Sequence, residues 1–275
     1  NSKIWMSEPT WANHPNLFRL AGLEVKTYPY FDSERNNLDF DAMVGGLHRI
    51  PRGDFVLLHG CCHNPTGIDP TPDQWEVISK VVRTRGIVPL IDFAYQGLGD
   101  GIVEDGRGLR ALCRSNCEVF VASSFSKNFG IYNERVGALT VVTSSEETAR
   151  AVLSHLMIAI RTNYSNPPAH GAGIVTTVLN DKTLRADWES EVKEVRDRIN
   201  GMRRLFVNTL RQKGIERDLS FIVHQRGMFS FSGLTVRQVD LLREKYSIYI
   251  LRSGRINVAG MTEGNMEYLC DAILD

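Results

Sequence analysis

The sequence predicts an α/β fold in which a mainly parallel β-sheet is flanked by helices and followed by a smaller C-terminal α/β domain. In the first two-thirds of the chain, short apolar runs alternate with segments of helical periodicity, the pattern of βαβ units. Helix-capping signals lie between these runs. A length of 275 residues suggests one or two domains, at about 150 residues each. We predict two, at residues 1–194 and 195–275, joined by a long helix at about 186–213.

Six apolar runs bounded by polar or turn-forming residues are predicted strands of the larger domain. They lie at residues 3–6, 24–28, 55–59, 88–92, 119–123 and 138–142. A helix is predicted between the third and fourth strands, because Thr71 and Gln74 form a capping-box pattern around Pro72 and Gly86 follows the last turn. Its apolar stripe, expected to cover one face of the sheet, consists of Trp75, Val77, Ile78, Val81 and Val82.

Further helix signals follow the sixth strand. Ser144 and Glu147 form a second capping-box pattern, which opens a helix that extends toward Arg161 and is followed by two prolines at 167 and 168. The smaller domain is predicted to contain a strand from Phe221, a helix capped by Thr235, short strands near residues 248–251 and 255–258, and a helix from Thr262.

Composition excludes several classes of function. The 32 basic and 32 acidic residues balance, so the chain has no net field to attract nucleic acid or anionic lipid. No apolar run approaches the ~18 residues that a membrane helix needs. The five cysteines lack the paired CxxC spacing of a zinc site or a secreted disulfide framework. We therefore expect reduced thiols, a cytoplasmic protein and no metal site.

Polar residues follow three of the predicted strands. Asn64 follows the third strand, Asp92 and Tyr95 lie at the end of the fourth, and Lys127 follows the fifth. Open parallel sheets place ligands beyond the carboxyl ends of their strands, so these side chains are expected to meet in one crevice. Such a set meets the needs of pyridoxal phosphate: Lys127 for the Schiff base, Asp92 to keep the ring nitrogen protonated, and Asn64 with Tyr95 toward the phenolic oxygen.

The phosphate of such a cofactor needs a hydroxyl and a cation, which Ser124 and Arg135 supply on either side of Lys127. Each residue alone also has an ordinary structural interpretation. Taken alone, Lys127 would be read as a solvated loop lysine, and Asp92 would be read as part of an Asx-turn or a helix cap. The sequence from Asn64 to Gly67 would be read as a simple turn. The functional interpretation depends on their joint order and spacing.

Several longer motifs resemble those of class I aspartate aminotransferases. The segments SSFSKNFG at 123–130 and YNERVG at 132–137 look like the cofactor-lysine signature of that family. Further motifs in the same order are CHNPTG at 62–67, DFAY at 92–95, NYSNPP at 163–168 and SGRINVAG at 253–260. The resemblance covers the whole chain, and it implies the fold type I of pyridoxal-phosphate-dependent transferases.

The resemblance also implies roles for individual residues. Trp11 would stack on the cofactor ring, and His14 would support Asp92 from behind. Arg255 would bind the substrate α-carboxylate, and Arg161 of a partner subunit would bind the distal carboxylate of aspartate or glutamate, so the active site would belong to a homodimer. A planar fork of donors suits carboxylate recognition. The structural alternatives are a helix-terminal cation for Arg161, a solvated edge residue for Arg255, a core residue for Trp11 and a satisfied polar group for His14.

The implied reaction moves an amino group between an amino acid and a 2-oxo acid, with ping-pong kinetics. Alternatives are an aromatic-amino-acid aminotransferase of the same fold, an inactive binding module on that scaffold, and a nucleotide-binding protein, although the last lacks the phosphate-binding glycine motifs. Family members carry an N-terminal phosphate loop, a tyrosine for the neighbouring subunit and part of the small domain, none of which is found here. The chain is therefore expected to be a fragment with weakened cofactor binding.

Overall fold

The computed structural model describes residues 2–116 and 118–275. Within these ranges, the strands are β1 Lys3–Glu8, β2 Glu24–Pro29, β3 Phe31–Asp32, β4 Asn37–Leu38, β5 Phe55–His59, β6 Val88–Phe93, β7 Val119–Ser124, β8 Gly137–Val142, β9 Phe229–Phe231 and β10 Arg255–Asn257. The helices are α1 His14–Leu20, α2 Phe40–His48, α3 Pro72–Arg85, α4 Arg107–Ser115, α5 Glu146–Asn163, α6 Ala169–Asn180, α7 Lys182–Gln212, α8 Phe221–His224, α9 Val236–Tyr246 and α10 Glu263–Leu274.

One six-stranded sheet organises the larger part of the chain. Its strand order is β2-β1-β5-β6-β7-β8, and neighbouring strands are parallel except for the antiparallel edge strand β8. All six predicted strands are confirmed, with boundaries within two residues. Strand β5 is buried along nearly its whole length, as expected for a parallel strand covered on both faces. The prediction of a mainly parallel α/β sheet is correct.

Helix α3 forms where the capping signals predicted it. The Thr71 side chain accepts a hydrogen bond from the backbone N–H of Gln74, the Gln74 side chain accepts one from Thr71, and Gly86 ends the helix at φ +64°. Four members of the predicted stripe are buried against the sheet, whereas Val77 is 42% exposed. Including Val77 was wrong, because it points away from the core.

Two helix starts differ from the predictions. Ser145, not Ser144, caps α5, and its hydroxyl accepts from the backbone N–H of Thr148, so the predicted pairing with Glu147 is wrong. Helix α7 starts at Lys182, four residues earlier than expected, because the Asp181 carboxylate accepts from the N–H groups of Thr183 and Leu184. A side-chain cap therefore sets the start of each helix.

The C-terminal part contains two wrong strand predictions. Residues from Phe221 form the short helix α8, and the nearest strand is β9. Residues 248–251 form no strand, and Tyr249 and Leu251 are 77% and 51% exposed. The antiparallel pair of β9 and β10 and the capping boxes of α9 and α10, at Thr235 and Thr262, match the sequence signals.

Buried apolar side chains form two large clusters. One runs from Tyr28 to Val192 and the other from Ile199 to Cys270, so α7 contributes to both. The predicted division near residue 194 stays a prediction. Among the described residues, no helix combines the length and the apolar character needed to cross a bilayer.

Candidate active site

The carboxyl ends of the parallel strands bring the predicted site residues together. His59 at the end of β5 lies in register with Asp92 of β6, and Phe93 lies in register with Ser123 of β7. The turns that follow these strands carry Asn64, Tyr95 and Lys127. The edge of the sheet predicted to form a crevice therefore carries all three residues in the folded chain.

Asp92 is held by His14, the first residue of α1, which lies between β1 and β2 in the chain. The His14 Nε2 atom lies 3.2 Å from the Asp92 Oδ2 atom, and the His14 Nδ1 atom lies 2.8 Å from the Thr10 hydroxyl. Burial would raise the pKa of Asp92, but the His14 hydrogen bond and the nearby charge of Lys127 lower it, and the net pKa shift is downward. Asp92 therefore stays a carboxylate at neutral pH.

The Thr10 hydroxyl also lies 3.2 Å from the His59 Nε2 atom, so two histidines share one hydroxyl behind Asp92. Burial lowers the pKa of His59 well below its usual value. Neither Thr10 nor His59 was predicted from the sequence. The position of His59 at the end of a buried strand was the one available signal. That position indicates a site residue only when the pairing of β5 with β6 is known.

A second series of contacts connects the sheet with the C-terminal part of the protein. The Asn64 side chain donates to the Tyr95 hydroxyl over 3.3 Å and accepts from Arg255 Nη1 over 2.9 Å. The Arg255 guanidinium carbon lies 4.3 Å from the centre of the Phe229 ring, an arrangement typical of cation–π contacts. Asn64 thus connects the Tyr95 phenol on one side with the Arg255 guanidinium on the other.

Lys127 faces Tyr95. Its Nζ atom lies 4.9 Å from the centre of the Tyr95 ring, and the side chain is half-buried. Burial and the charge of Arg135 lower the pKa of Lys127, while Asp92 acts in the opposite direction. A lowered pKa makes more of the neutral amine available, and the neutral amine is the nucleophilic form.

The turn that presents Asn64 is fixed by buried polar groups. Asp69 accepts from the backbone N–H groups of Cys62, at 2.6 Å, and His63, at 2.8 Å. The His63 ring bonds to the hydroxyls of Ser7 and Thr66 on its two sides. These contacts hold a left-handed residue, Cys62 at φ +52°, in place just before Asn64.

The remaining predicted residues lie at the edge of this group or apart from it. Trp11 is 37% exposed, with its ring 5.2 Å from the His14 ring. The Ser124 hydroxyl accepts from the Ser126 N–H, and the exposed Arg135 donates to the Tyr132 carbonyl. Arg161 is exposed on α5 and donates to Ser165, and among the described residues it has no bond to the crevice. Among the described residues, Ser124 and Arg135 therefore bond only to nearby backbone groups, and their assignment to the phosphate stays a prediction, as does that of Arg161.

A buried cluster beside the site contains Cys61, Cys62 and Asp105, whose possible ligand atoms all lie within 4.8 Å of one another. Both Asp105 oxygens already accept backbone hydrogen bonds, from the N–H groups of Gly97, Gly99, Asp100 and Gly101. Burial also raises the pKa of Cys61 well above its usual value, which disfavours the thiolate that a metal requires. We assign Asp105 to holding the 97–101 loop.

Comparison with known proteins identifies the family. The family model for "Aminotransferase class I and II" matches residues 1–273. The chain belongs to this aminotransferase family. The chain is 55% identical to an aspartate aminotransferase of Escherichia coli K12 over 272 residues, 99% of this chain and 69% of that protein. It is 44% identical to an aromatic-amino-acid aminotransferase of the same organism, covering 98% of this chain and 68% of that protein.

A solved aminotransferase structure has the same fold. The aromatic-amino-acid aminotransferase from Burkholderia pseudomallei, covalently bound to pyridoxal phosphate, superposes with a TM-score of 0.98 at 50% identity. The match covers 99% of this chain and 68% of that one. The fold predicted from strand order and from the aminotransferase motifs is therefore confirmed.

Proposed function

We propose that this aminotransferase transfers the amino group of aspartate or glutamate to 2-oxo acids, with oxaloacetate and 2-oxoglutarate as the corresponding oxo acids. The observation that carries the proposal is the continuous set of contacts from Lys127 through Tyr95 and Asn64 to Arg255. It places an amine, a phenol, an amide and a carboxylate-binding guanidinium along one crevice. An amino acid presents the complementary amine and carboxylate.

The donor set fits pyridoxal phosphate. Asp92 is an anion in a half-buried position, suited to a protonated ring nitrogen, and Lys127 has an amine of lowered pKa for a covalent bond. Asn64 and Tyr95 would donate toward the phenolic oxygen, Ser124 and Arg135 would bind the phosphate, and Trp11 would cover the ring. When bound, the cofactor supplies an aldehyde that accepts amino groups and a ring that accepts electrons from the substrate α-carbon.

The chain's own residues then have distinct tasks. Arg255 binds the α-carboxylate and so fixes the orientation of the α-carbon–hydrogen bond relative to Lys127. The Lys127 amine would take a proton from the α-carbon of the donor amino acid in the first half-reaction and give one to the α-carbon of the new amino acid in the second. Burial lowers its pKa, which favours the neutral form that accepts a proton. His14 keeps Asp92 ionised throughout. Two half-reactions share these groups, so we expect ping-pong kinetics.

Selection of a dicarboxylic substrate needs a second cation, and we propose Arg161 of a second copy of this chain. Helix α5, which carries Arg161, contains no buried residue, and it exposes Leu153, Met157 and Ile158 at 58%, 62% and 61%. Such an apolar helix face favours a homodimer with shared active sites. The free thiols of Cys61, Cys62, Cys113 and Cys270 are consistent with a reducing cytoplasm.

Donor preference tests the proposal. The cofactor-loaded protein is assayed with aspartate and with phenylalanine, and kcat/KM is expected to be higher for aspartate. A preference for phenylalanine would favour the aromatic alternative, which the 50% identical structure supports. Loss of turnover with both donors would favour an inactive binding module.

Substitution of Arg255 tests the assigned orientation. Arg255→Lys is expected to raise the KM of aspartate at least tenfold, because a lysine cannot form the paired bonds of a guanidinium. Arg252→Lys is the matched control, since Arg252 lies three residues before Arg255 in the sequence, is exposed and pairs with Asp240. Equal KM values for the two variants would contradict the role given to Arg255.

A further inference from the structure

An arginine far from the predicted motifs is fully buried in this molecule. Arg203 of α7 is 0% exposed, and among the described residues its hydrogen bonds go to a carbonyl and a hydroxyl and none goes to a carboxylate. Its Nε and Nη1 atoms have no hydrogen-bond partner in the described part of the chain. Burying a charge in this way is costly, so the few bonds that it does make require an explanation.

Those bonds go to one strand. The Arg203 Nη2 atom donates to the Phe229 carbonyl over 2.9 Å and to the Ser230 hydroxyl over 3.3 Å. Both acceptors belong to β9, which pairs with β10, the strand that begins at Arg255. Arg203 therefore fixes the start of the strand that faces the substrate-binding arginine.

Phe229 is also the contact surface of the site. Its ring lies 4.3 Å from the Arg255 guanidinium carbon and 6.3 Å, edge to face, from the Tyr95 ring. On the other side, a Cβ atom on Gly67 would lie only 2.6 Å from the Phe229 carbonyl, so the turn after Asn64 packs directly against the same atom that Arg203 binds. The position of Phe229 thus affects Tyr95 and Arg255, the two residues whose side chains bond to the Asn64 side chain.

We propose that Arg203 is a positioning residue for substrate-carboxylate recognition, acting through Phe229 on Arg255. The inference rests on the proposed aminotransferase function and extends it to a residue outside the crevice. A guanidinium suits this task because it can reach the carbonyl and the hydroxyl from one nitrogen while its planar body fills the core between α7 and β9. An apolar side chain of similar length would fill the space and leave the carbonyl of Phe229 without this donor.

The experiment separates positioning from simple stability. Arg203→Met, Arg203→Lys and the control Arg204→Met, at the exposed neighbouring position on the same helix, are prepared with cofactor bound. For each, kcat and KM for aspartate are measured, together with the Kd of succinate by calorimetry, because succinate has the carboxylates and lacks the reacting amine. Thermal unfolding is recorded in parallel.

Arg203→Met is expected to raise the KM and the succinate Kd about tenfold, equivalent to about 1.4 kcal/mol, with kcat within about twofold of wild type. Arg203→Lys, which keeps one charged donor, should recover part of the loss, and Arg204→Met should match wild type. A purely structural role would lower the unfolding temperature and leave both binding constants of the folded protein unchanged. That outcome overturns the inference.

A second variant covers the case in which Arg203→Met fails to fold. Phe229→Leu retains Arg203 and removes the ring beneath Arg255, so it should reproduce the same rise in KM and succinate Kd. Unchanged constants in Phe229→Leu would also overturn the inference. A wild-type protein that neither converts aspartate nor binds succinate would instead refute the proposed function, which distinguishes the two failures.

Discussion

Replacing His63 should alter the acid stability of the protein in a way that can be worked out from its surroundings. His63 is 1% exposed, bonds to Ser7 and Thr66, and stacks on the Tyr30 ring at a centroid distance of 3.9 Å. Burial, with a smaller effect of the His14 charge, lowers the pKa of His63 from 6.5 to about 3. The folded protein therefore holds His63 neutral over a pH range in which the unfolded chain protonates it.

The sign follows from this difference. Because the folded-state pKa lies below the unfolded value, the stability gained from neutral His63 is complete above about pH 6.5 and is lost as the pH falls toward 3. A shift of this size corresponds to roughly 5 kcal/mol in total, and to about 1.4 kcal/mol per pH unit where the protonation states differ. His59 contributes a loss in the same direction.

The test compares the free energy of unfolding in urea at about pH 7, 5.5 and 4.5 for wild type, His63→Gln and the control His155→Gln. His63→Gln should be less stable at neutral pH because the fitted ring is lost. Below about pH 6, the free energy of unfolding of His63→Gln should fall more slowly than that of wild type, by about 1.4 kcal/mol per pH unit. His155 is exposed on α5, so its variant should follow wild type. Equal slopes for His63→Gln and wild type would refute the account of His63 as a buried neutral group.

Two further substitutions follow from contacts in the site and the core. Asn64→Ala removes the partner of both Tyr95 and Arg255, so steady-state assays should show kcat/KM for aspartate reduced at least tenfold, and a value within twofold of wild type would contradict the contact set. Gly108→Ala should lower the free energy of unfolding by about 1–3 kcal/mol in urea titrations, although alanine normally favours helices, because the added Cβ would lie 2.3 Å from the Trp75 ring. Gly201→Ala, where a Cβ meets no atom within 4 Å among the described residues, should be neutral or stabilising, and equal effects would contradict the packing argument.

Local signals explain why much of the fold could be predicted from the sequence. Strand β5 is almost continuously apolar, and the boundaries of α3 are specified by a capping box and a left-handed glycine. These signals depend only on residues that are close together in the sequence. The strand at 248–251 was wrong because its apolar residues suggested burial, whereas Tyr249 is exposed and no neighbouring strand pairs with it in the described residues. Pairing depends on tertiary structure, which periodicity does not report.

The candidate site likewise contains residues that local signals predict and residues that only tertiary contacts identify. Lys127, Asp92, Tyr95 and Asn64 follow strand ends, so strand order alone predicts that they meet. Arg203 carries no such signal, since it looks like any charged residue of a long amphipathic helix until the fold places it against β9. Residues that act through packing can be identified only from contacts between distant segments.

The most direct test of the central claim is to reduce the cofactor-loaded protein with borohydride and to locate the modified lysine by peptide mapping. Reduction makes a lysine–cofactor bond permanent, and the adduct is expected on the peptide that contains Lys127, together with loss of turnover. Lys127→Ala should give neither adduct nor activity, whereas Lys80→Ala, at an exposed position on α3, should give both. An adduct on another lysine, or wild-type turnover by Lys127→Ala, would contradict the assignment of Lys127 as the residue that holds the cofactor.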